Sequence, residues 1–245
     1  MKKLNPKAVI FDLGSTLIEY EAVSWDELNV LCAASARRFL VAQGYEVPPQ
    51  NEFVMLFESL KSSYRQIASE TLVEWSVPQV AAKLLEQLHI VAANGTVEEL
   101  FDAYYAPVDE LLYVYPDTVS TLQRLKNAGY VIGLISNTVF PERAHRRELH
   151  RFEIAPFLHF ALFSSSFGLR KPHPDIFRKA SELAGFDPAD CLYIGDRYVE
   201  DILGPTGIGM PSVLKIKSGR EYPDDMPEAV YRIDHLSELL DHLQN

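Results

Sequence analysis

The sequence predicts an α/β fold in which a parallel sheet, covered by helices on both faces, is interrupted by an all-helical insertion. Three observations carry this. Near the N-terminus a short apolar run, Val9-Ile10-Phe11, reads as a buried strand with Asp12 at its carboxyl end. From about residue 24 four segments with helical spacing follow in a row. From about Val114 strands alternate with helices, the mark of a parallel sheet with crossover helices. The first strand therefore belongs with the second half of the chain. Residues 1–18 and 114–245 form one core domain, and residues 19–113 are an insertion in it rather than a tandem domain.

Each element has its own signal. Ser24 and Glu27 form a capping box for a helix whose Leu28, Leu31, Cys32, Ser35 and Phe39 recur at helical spacing up to Gly44. After Val47-Pro48-Pro49, the residues Phe53, Leu56, Phe57, Leu60, Tyr64 and Ile67 mark a second helix. Ser76 with Gln79 caps a third, with Val80, Leu84, Leu85 and Leu88 on one face, and Thr96 with Glu99 caps a fourth, carrying Leu100, Phe101 and Tyr104. These stripes are core-packing faces. Asp117 as N-cap and Gly129 after the C-terminus bracket the next helix. Strands are expected at Tyr130–Ser136, near 160–164, at Cys191–Gly195, at 212–216 and at 229–233, with helices at Pro174–Gly185 and 236–243. Residues 204–210, "GPTGIGM", do not open a helix after a first strand, so they read as a helix end turning into a strand rather than a dinucleotide loop.

The formal net charge of −11 opposes binding to nucleic acid and to anionic membranes. Cys32 and Cys191 have no metal-like spacing and read as buried small hydrophobes in a reducing compartment. The N-terminus lacks a signal-peptide pattern and the chain lacks an apolar run long enough for a membrane span, so a cytoplasmic location is expected. The seven histidines form no ligand pair and read as structural or exposed. Residues 141–151 are a basic island that reads as a solvated helix face, with Arg143 as the one candidate to face a substrate anion.

In open α/β sheets ligands bind at the carboxyl ends of the strands. There the sequence puts Asp12, Ser136-Asn137-Thr138, Lys171 just before a helix, and Asp196 with Asp201. Carboxylates held together repel unless a cation neutralises them, and few hard oxygen ligands suit Mg²⁺ in company with a substrate phosphate. A lysine supplies positive charge for a transferred phosphoryl group. Ser136 and neighbouring backbone N–H groups suit phosphate oxygens. A strand-end aspartate can attack phosphorus to form an aspartyl-phosphate.

The order of these features resembles the haloacid dehalogenase-like hydrolase superfamily over nearly the whole chain. The first motif is similar to "FDLGSTL", the second to "LISNT", the third to "RKPHPDIF" and the fourth to "YIGDRYVEDILGPTGIGM". The resemblance implies a Rossmann-like core, an α-helical cap in the insertion that closes over a small phosphorylated metabolite, Mg²⁺ as cofactor, and phosphatase activity. It implies Asp12 as nucleophile. Asp12, Asp196 and the Gly14 carbonyl would hold the metal, with Asp201 ligating it or orienting its waters. Ser136 and Asn137 would hold phosphoryl oxygens, Thr16 would hydrogen-bond near the nucleophile, and Lys171 would offset charge and steady Asp12.

One position departs from the pattern. The phosphatases of this superfamily usually carry a second Asp, an acid and base, where Gly14 stands. Loss of general acid–base catalysis is worth roughly 10²- to 10⁴-fold. Three explanations compete: a substrate with a good leaving group, a stand-in acid among Glu19, Tyr20 and Glu21 (Glu19 first), or a protein that binds phosphate compounds and turns them over poorly. A dehalogenase is the other enzyme reading. It needs no metal, and the surviving pair Asp196 and Asp201 argues against it.

Overall fold

A computed structural model of the chain describes residues 3–227 and 231–244. Strand β1 (Ala8–Phe11) is followed by the two-residue β2 (Ile18–Glu19) and helices α1 (Trp25–Ala42), α2 (Gln50–Thr71), α3 (Val77–Gln87) and α4 (Thr96–Leu111). The chain returns through β3 (Tyr113–Val114), α5 (Thr118–Asn127), β4 (Val131–Ser136), α6 (Glu142–Arg151) and β5 (Phe160–Phe163). Next come the one-turn α7 (Ser164–Phe167), α8 (Pro174–Ala184) and β6 (Cys191–Gly195). A π-helical turn at Tyr198–Leu203, the short α9 (Gly204–Thr206), β7 (Ser212–Lys215), β8 (Tyr231–Ile233) and α10 (Leu239–His242) complete it. Of the strand expected at 229–233, Ala229 and Val230 lie outside the described residues.

Contacts group the chain into two units. One comprises Met1–Glu19, Tyr113–Asn137 and Glu142–Asn245, and the other Tyr20–Leu112 with Thr138–Pro141. The first contains a six-stranded sheet in the order β5-β4-β1-β6-β7-β8, with every pairing parallel. β1 is wholly buried because it has a neighbour on each side: Ile10 faces Gly133 of β4 and Tyr193 of β6. That explains its continuous apolar run, since a strand covered on both faces has no polar side to alternate. Ile176, Phe177, Ala180 and Ala184 of α8 join Ile10, Ile135 and Tyr193 in one buried cluster. Gly133 lets the Phe160 ring lie against β4: a Cβ would lie 2.1 Å from the ring, which would have to move. The strand order reverses around β1, and Asp12 and Asp196 follow β1 and β6 while Ser136 ends β4 at this switch point, where sheets of this kind bind ligands. β2 and β3 pair antiparallel, Ile18 with Val114 and Glu19 with Tyr113.

The second unit is helical, and three expectations about it need correction. Leu31 of the α1 stripe is exposed, and Ala33, Ala36 and Leu40 are buried beside Leu28 and Cys32 instead. Gly95, not Thr96, is the N-cap of α4; its φ of +91° supplies the left-handed turn that Thr96 could not adopt without strain. In α2 the buried positions are Phe53, Phe57, Lys61 and Ala68, while Ile67 faces solvent. The inward face is set by tertiary partners: Lys61 Nζ donates to Asn29 Oδ1 of α1 (2.5 Å), Glu58 Oε1 (2.7 Å) and Tyr104 Oη of α4 (2.9 Å). Ser24 caps α1 as expected, accepting from Glu27 N at 3.2 Å. Both cysteines are buried and free, and burial pushes the Cys32 thiol up to about 12 and Cys191 to about 11. No described helix is long and apolar enough to cross a membrane.

Candidate active site

Asp12 leaves β1 into a tight turn. Leu17 N and Ile18 N both donate to Leu13 O, and Ser15 N donates to Ile18 O. Gly14 lies half-buried in this turn and bridges to Ile18. Ser15 sits at φ +58°, a left-handed conformation that costs a non-glycine residue roughly 1–2 kcal/mol. Its position is held from β7 and the segment beyond: Lys215 Nζ donates to Ser15 O (3.0 Å) and Lys217 Nζ to Ser15 Oγ (2.8 Å).

Lys171 joins the acidic groups. Its Nζ donates to Asp12 Oδ1 (2.6 Å), Asp201 Oδ1 (2.6 Å) and Tyr193 Oη (2.8 Å). All three ammonium protons are therefore engaged, in a site where Lys171 is 2% exposed. Burial by itself would lower the Lys171 pKa, but Asp12 and Asp201 outweigh it and hold the ammonium above its usual range. Asn137 anchors the Lys171 backbone: its Nδ2 donates to Lys171 O (2.8 Å) and its Oδ1 accepts from Lys171 N (2.7 Å). The Asn137 side chain thus holds the Lys171 backbone with its oxygen and one Nδ2 proton.

Asp201 lies in the π-helical turn and is fully buried; its Oδ2 accepts from Arg197 N at 2.8 Å while its Oδ1 faces Lys171. A Cβ at Gly195 would lie 2.3 Å from Asp201 Cγ, so the glycine before Asp196 is what lets the two carboxylates meet at one strand end. Asp196 is 1% exposed, and neither of its oxygens accepts a hydrogen bond among the described residues; the Arg220 guanidinium makes an ion pair with its Oδ2. Tyr222 Oη donates to the Asp196 carbonyl at 3.1 Å.

Carboxylate oxygens of Asp12, Asp196 and Asp201 lie within 4.8 Å of one another. Burial, opposed by Lys171, pushes Asp12 up to about 6. Burial and repulsion from Asp12 and Asp201, opposed by Arg220, push Asp196 to about 8. Buried carboxylates pushed this far toward neutrality, one of them with an oxygen that has no hydrogen-bond partner among the described residues, fit a divalent cation with oxygen ligands.

The other expected residues sort as follows. Ser136 is buried at the carboxyl end of β4. Thr16 is fully buried and its Oγ1 has no hydrogen-bond partner among the described residues. Glu19 is not arranged as a proton donor: Oε1 accepts from Lys217 Nζ (3.0 Å) and Ser15 Oγ (3.3 Å), and Oε2 from Tyr115 Oη (2.5 Å). Arg143 is exposed on α6. That helix is not a purely solvated face, because His145 and Glu148 are buried on it, paired at 2.9 Å, with His145 stacked on Phe163. The sequence reading missed Tyr193, Lys215, Lys217, Arg220 and Tyr222. The signal for two of them was present: Lys215 and Lys217 share one side of "VLKIK" at the carboxyl end of a strand, the location that identified the carboxylates.

Comparison with known proteins places the chain and its fold. The family model described as haloacid dehalogenase-like hydrolase matches residues 6–209. A glyceraldehyde 3-phosphate phosphatase of Methanopyrus kandleri is 27% identical over 241 residues, covering 96% of each chain. A solved HAD phosphatase from Thermococcus onnurineus superposes with a TM-score of 0.65 at 25% identity, covering 96% of each chain. A 2-haloacid dehalogenase from Pseudomonas syringae pv. Tomato DC3000 gives 0.73 at 22% identity, covering 97% of each. The fold is therefore common to two chemistries, and only the site can separate them. By its family match, its sheet and its strand-end carboxylates, the chain belongs to the haloacid dehalogenase-like hydrolases.

Proposed function

We propose that this hydrolase is a Mg²⁺-dependent phosphatase of a small phosphorylated metabolite, with Asp12 as nucleophile. The observation that carries this is Asp196. A buried carboxylate that faces two more carboxylates, with an ion pair to Arg220 but no hydrogen bond among the described residues to hold its oxygens, is a cost that a metal-free dehalogenation gives no reason to keep. The name of the Methanopyrus relative supports a three-carbon phosphate as the first substrate class to try. In the same reading the helical unit is the cap domain.

Asp12, Asp196 and the Gly14 carbonyl would hold the cation, with Asp201 orienting its surroundings through its bonds to Lys171 and Arg197 N. When bound, the cation would neutralise the carboxylates and withdraw charge from the phosphoryl oxygens. Lys171 fixes one Asp12 oxygen at 2.6 Å, which leaves the other to attack phosphorus. Asp12 then forms an aspartyl-phosphate as the ester oxygen leaves, and water cleaves that acyl phosphate to release phosphate and restore the carboxylate. Ser136 and Thr16 are the hydroxyls available to phosphoryl oxygens, and Asn137 acts by holding Lys171 in place. With Gly14 in the acid position and the Glu19 oxygens already engaged, the leaving oxygen departs without a carboxylic acid from either residue.

The test is hydrolysis of para-nitrophenyl phosphate and glyceraldehyde 3-phosphate with Mg²⁺ or with EDTA, for the native chain and Asp12→Asn. Turnover that requires Mg²⁺ and is lost in the variant supports the proposal. Phosphate binding without turnover in the native chain would replace it with a binding protein. Release of halide from a 2-haloacid in EDTA would replace it with a dehalogenase.

A further inference from the structure

We infer that Arg220 is a built-in counter-ion of Asp196 that competes with the divalent cation for that carboxylate and so sets the cation's affinity. This rests on the divalent-cation reading above. Lys171 cannot serve Asp196, because its three protons are on Asp12, Asp201 and Tyr193. Arg220 brings the positive charge instead, to Oδ2, from a side chain 16% exposed. Asp196 Oδ1 accepts no hydrogen bond among the described residues, so the pair is not the two-pronged guanidinium–carboxylate contact. Arg220 meets Oδ2 and leaves Oδ1 open to a cation, which is what an exchangeable partner requires.

The position of Arg220 is built, not incidental. Its segment is tied to the site at both ends: Lys215 and Lys217 grip Ser15, and Tyr222 donates to the Asp196 carbonyl while accepting from Lys217 N at 2.9 Å. Between them a turn, with Arg220 N donating to Lys217 O at 3.2 Å and Gly219 at φ +79°, aims the guanidinium at Asp196. Charge balance gives the competition its sign. With all three carboxylates ionised, the form a divalent cation takes up, Lys171 and Arg220 leave the cluster one negative charge. A divalent cation added beside Arg220 would make the cluster positive, whereas the same cation with Arg220 displaced leaves it neutral. Cation entry and Arg220 departure are therefore linked.

The experiment is calorimetric titration of Mg²⁺ into the metal-stripped full chain without substrate, for native, Arg220→Gln and Arg220→Lys, with melting curves in EDTA and in Mg²⁺. The expected result is about tenfold tighter Mg²⁺ binding for Arg220→Gln. It should also melt at lower temperature in EDTA and show a larger rise on adding Mg²⁺. Arg220→Lys, which keeps the charge on a compact head, should bind Mg²⁺ with affinity between the two. Should Arg220→Gln fail to fold, tighter binding by Arg220→Lys than by the native chain supports the inference and unchanged binding overturns it. Native-like or weaker binding by a folded Arg220→Gln overturns this inference alone. A native chain that binds no Mg²⁺ overturns it together with the metal reading.

Discussion

Lys171 touches both the nucleophile candidate and Asp201, yet what holds it in place is Asn137, through two hydrogen bonds to its backbone. Asn137→Ala removes both, at a cost of about 1–2 kcal/mol in stability. Because a small displacement of a catalytic group costs up to about 100-fold, kcat should fall by one to two decades. KM should change little if Asn137 acts only by holding the Lys171 backbone. A variant with raised KM and intact kcat would return Asn137 to the phosphoryl pocket. Gly14 is the other residue at which chemistry and sequence part. If the missing acid limits the rate, Gly14→Asp should raise hydrolysis of an alkyl phosphate roughly 100-fold. Aryl phosphates, whose leaving group needs no proton, should gain little. Equal gains on both substrates would mean that Gly14 acts through something other than proton transfer.

At the scale of elements, the strands and their ends were legible and the details of the helices less so. Asp12, Ser136 and Asp196 could be found because strand direction alone delivers the end of β4 and the residues after β1 and β6 to one edge, whereas Lys171 and Asp201 lie beyond strand ends and were found through the order of the motifs. Lys215, Lys217 and Arg220 were missed because their partners, Ser15, Glu19 and Asp196, are distant in sequence and are met only once β7 is in register. The inward face of α2 failed for a related reason. A lysine breaks the apolar pattern, and no local rule reveals that Asn29 on α1 and Tyr104 on α4 wait for it. Lys61→Ala should therefore cost about 3 kcal/mol, because it leaves a cavity and removes the donor these groups share. Lys61→Met, which refills the volume without the charge, should cost less than about 1.5 kcal/mol. Urea unfolding of both variants checks this, and equal losses would mean that the ammonium matters more than the packing.

Across the whole molecule, the buried carboxylates make the metal-free fold sensitive to pH. Asp12 at about 6 and Asp196 at about 8 both lie above the ordinary 3.8, so between about pH 4 and pH 8 the folded chain keeps protons that the unfolded chain has released. Stability then falls as pH rises, by up to about 1.4 kcal/mol per pH unit for each retained proton. Below about pH 4 both states are protonated and this contribution is fully present; above about pH 8 both are ionised and it is gone. A divalent cation changes the balance, since it binds the ionised carboxylates only in the folded chain. Urea unfolding in EDTA at pH 5, 6, 7 and 8 should show a steady loss of stability, and the same series in Mg²⁺ a shallower one. All three carboxylates belong to the sheet-containing unit, so hydrogen exchange should show Mg²⁺ protection at the ends of β1 and β6 before any in α1–α4. A flat profile in EDTA would mean that these carboxylates titrate alike in the folded and unfolded chain, so that Arg220 and Lys171 already offset the cost of burying them and the fold has no electrostatic reason to take up a metal.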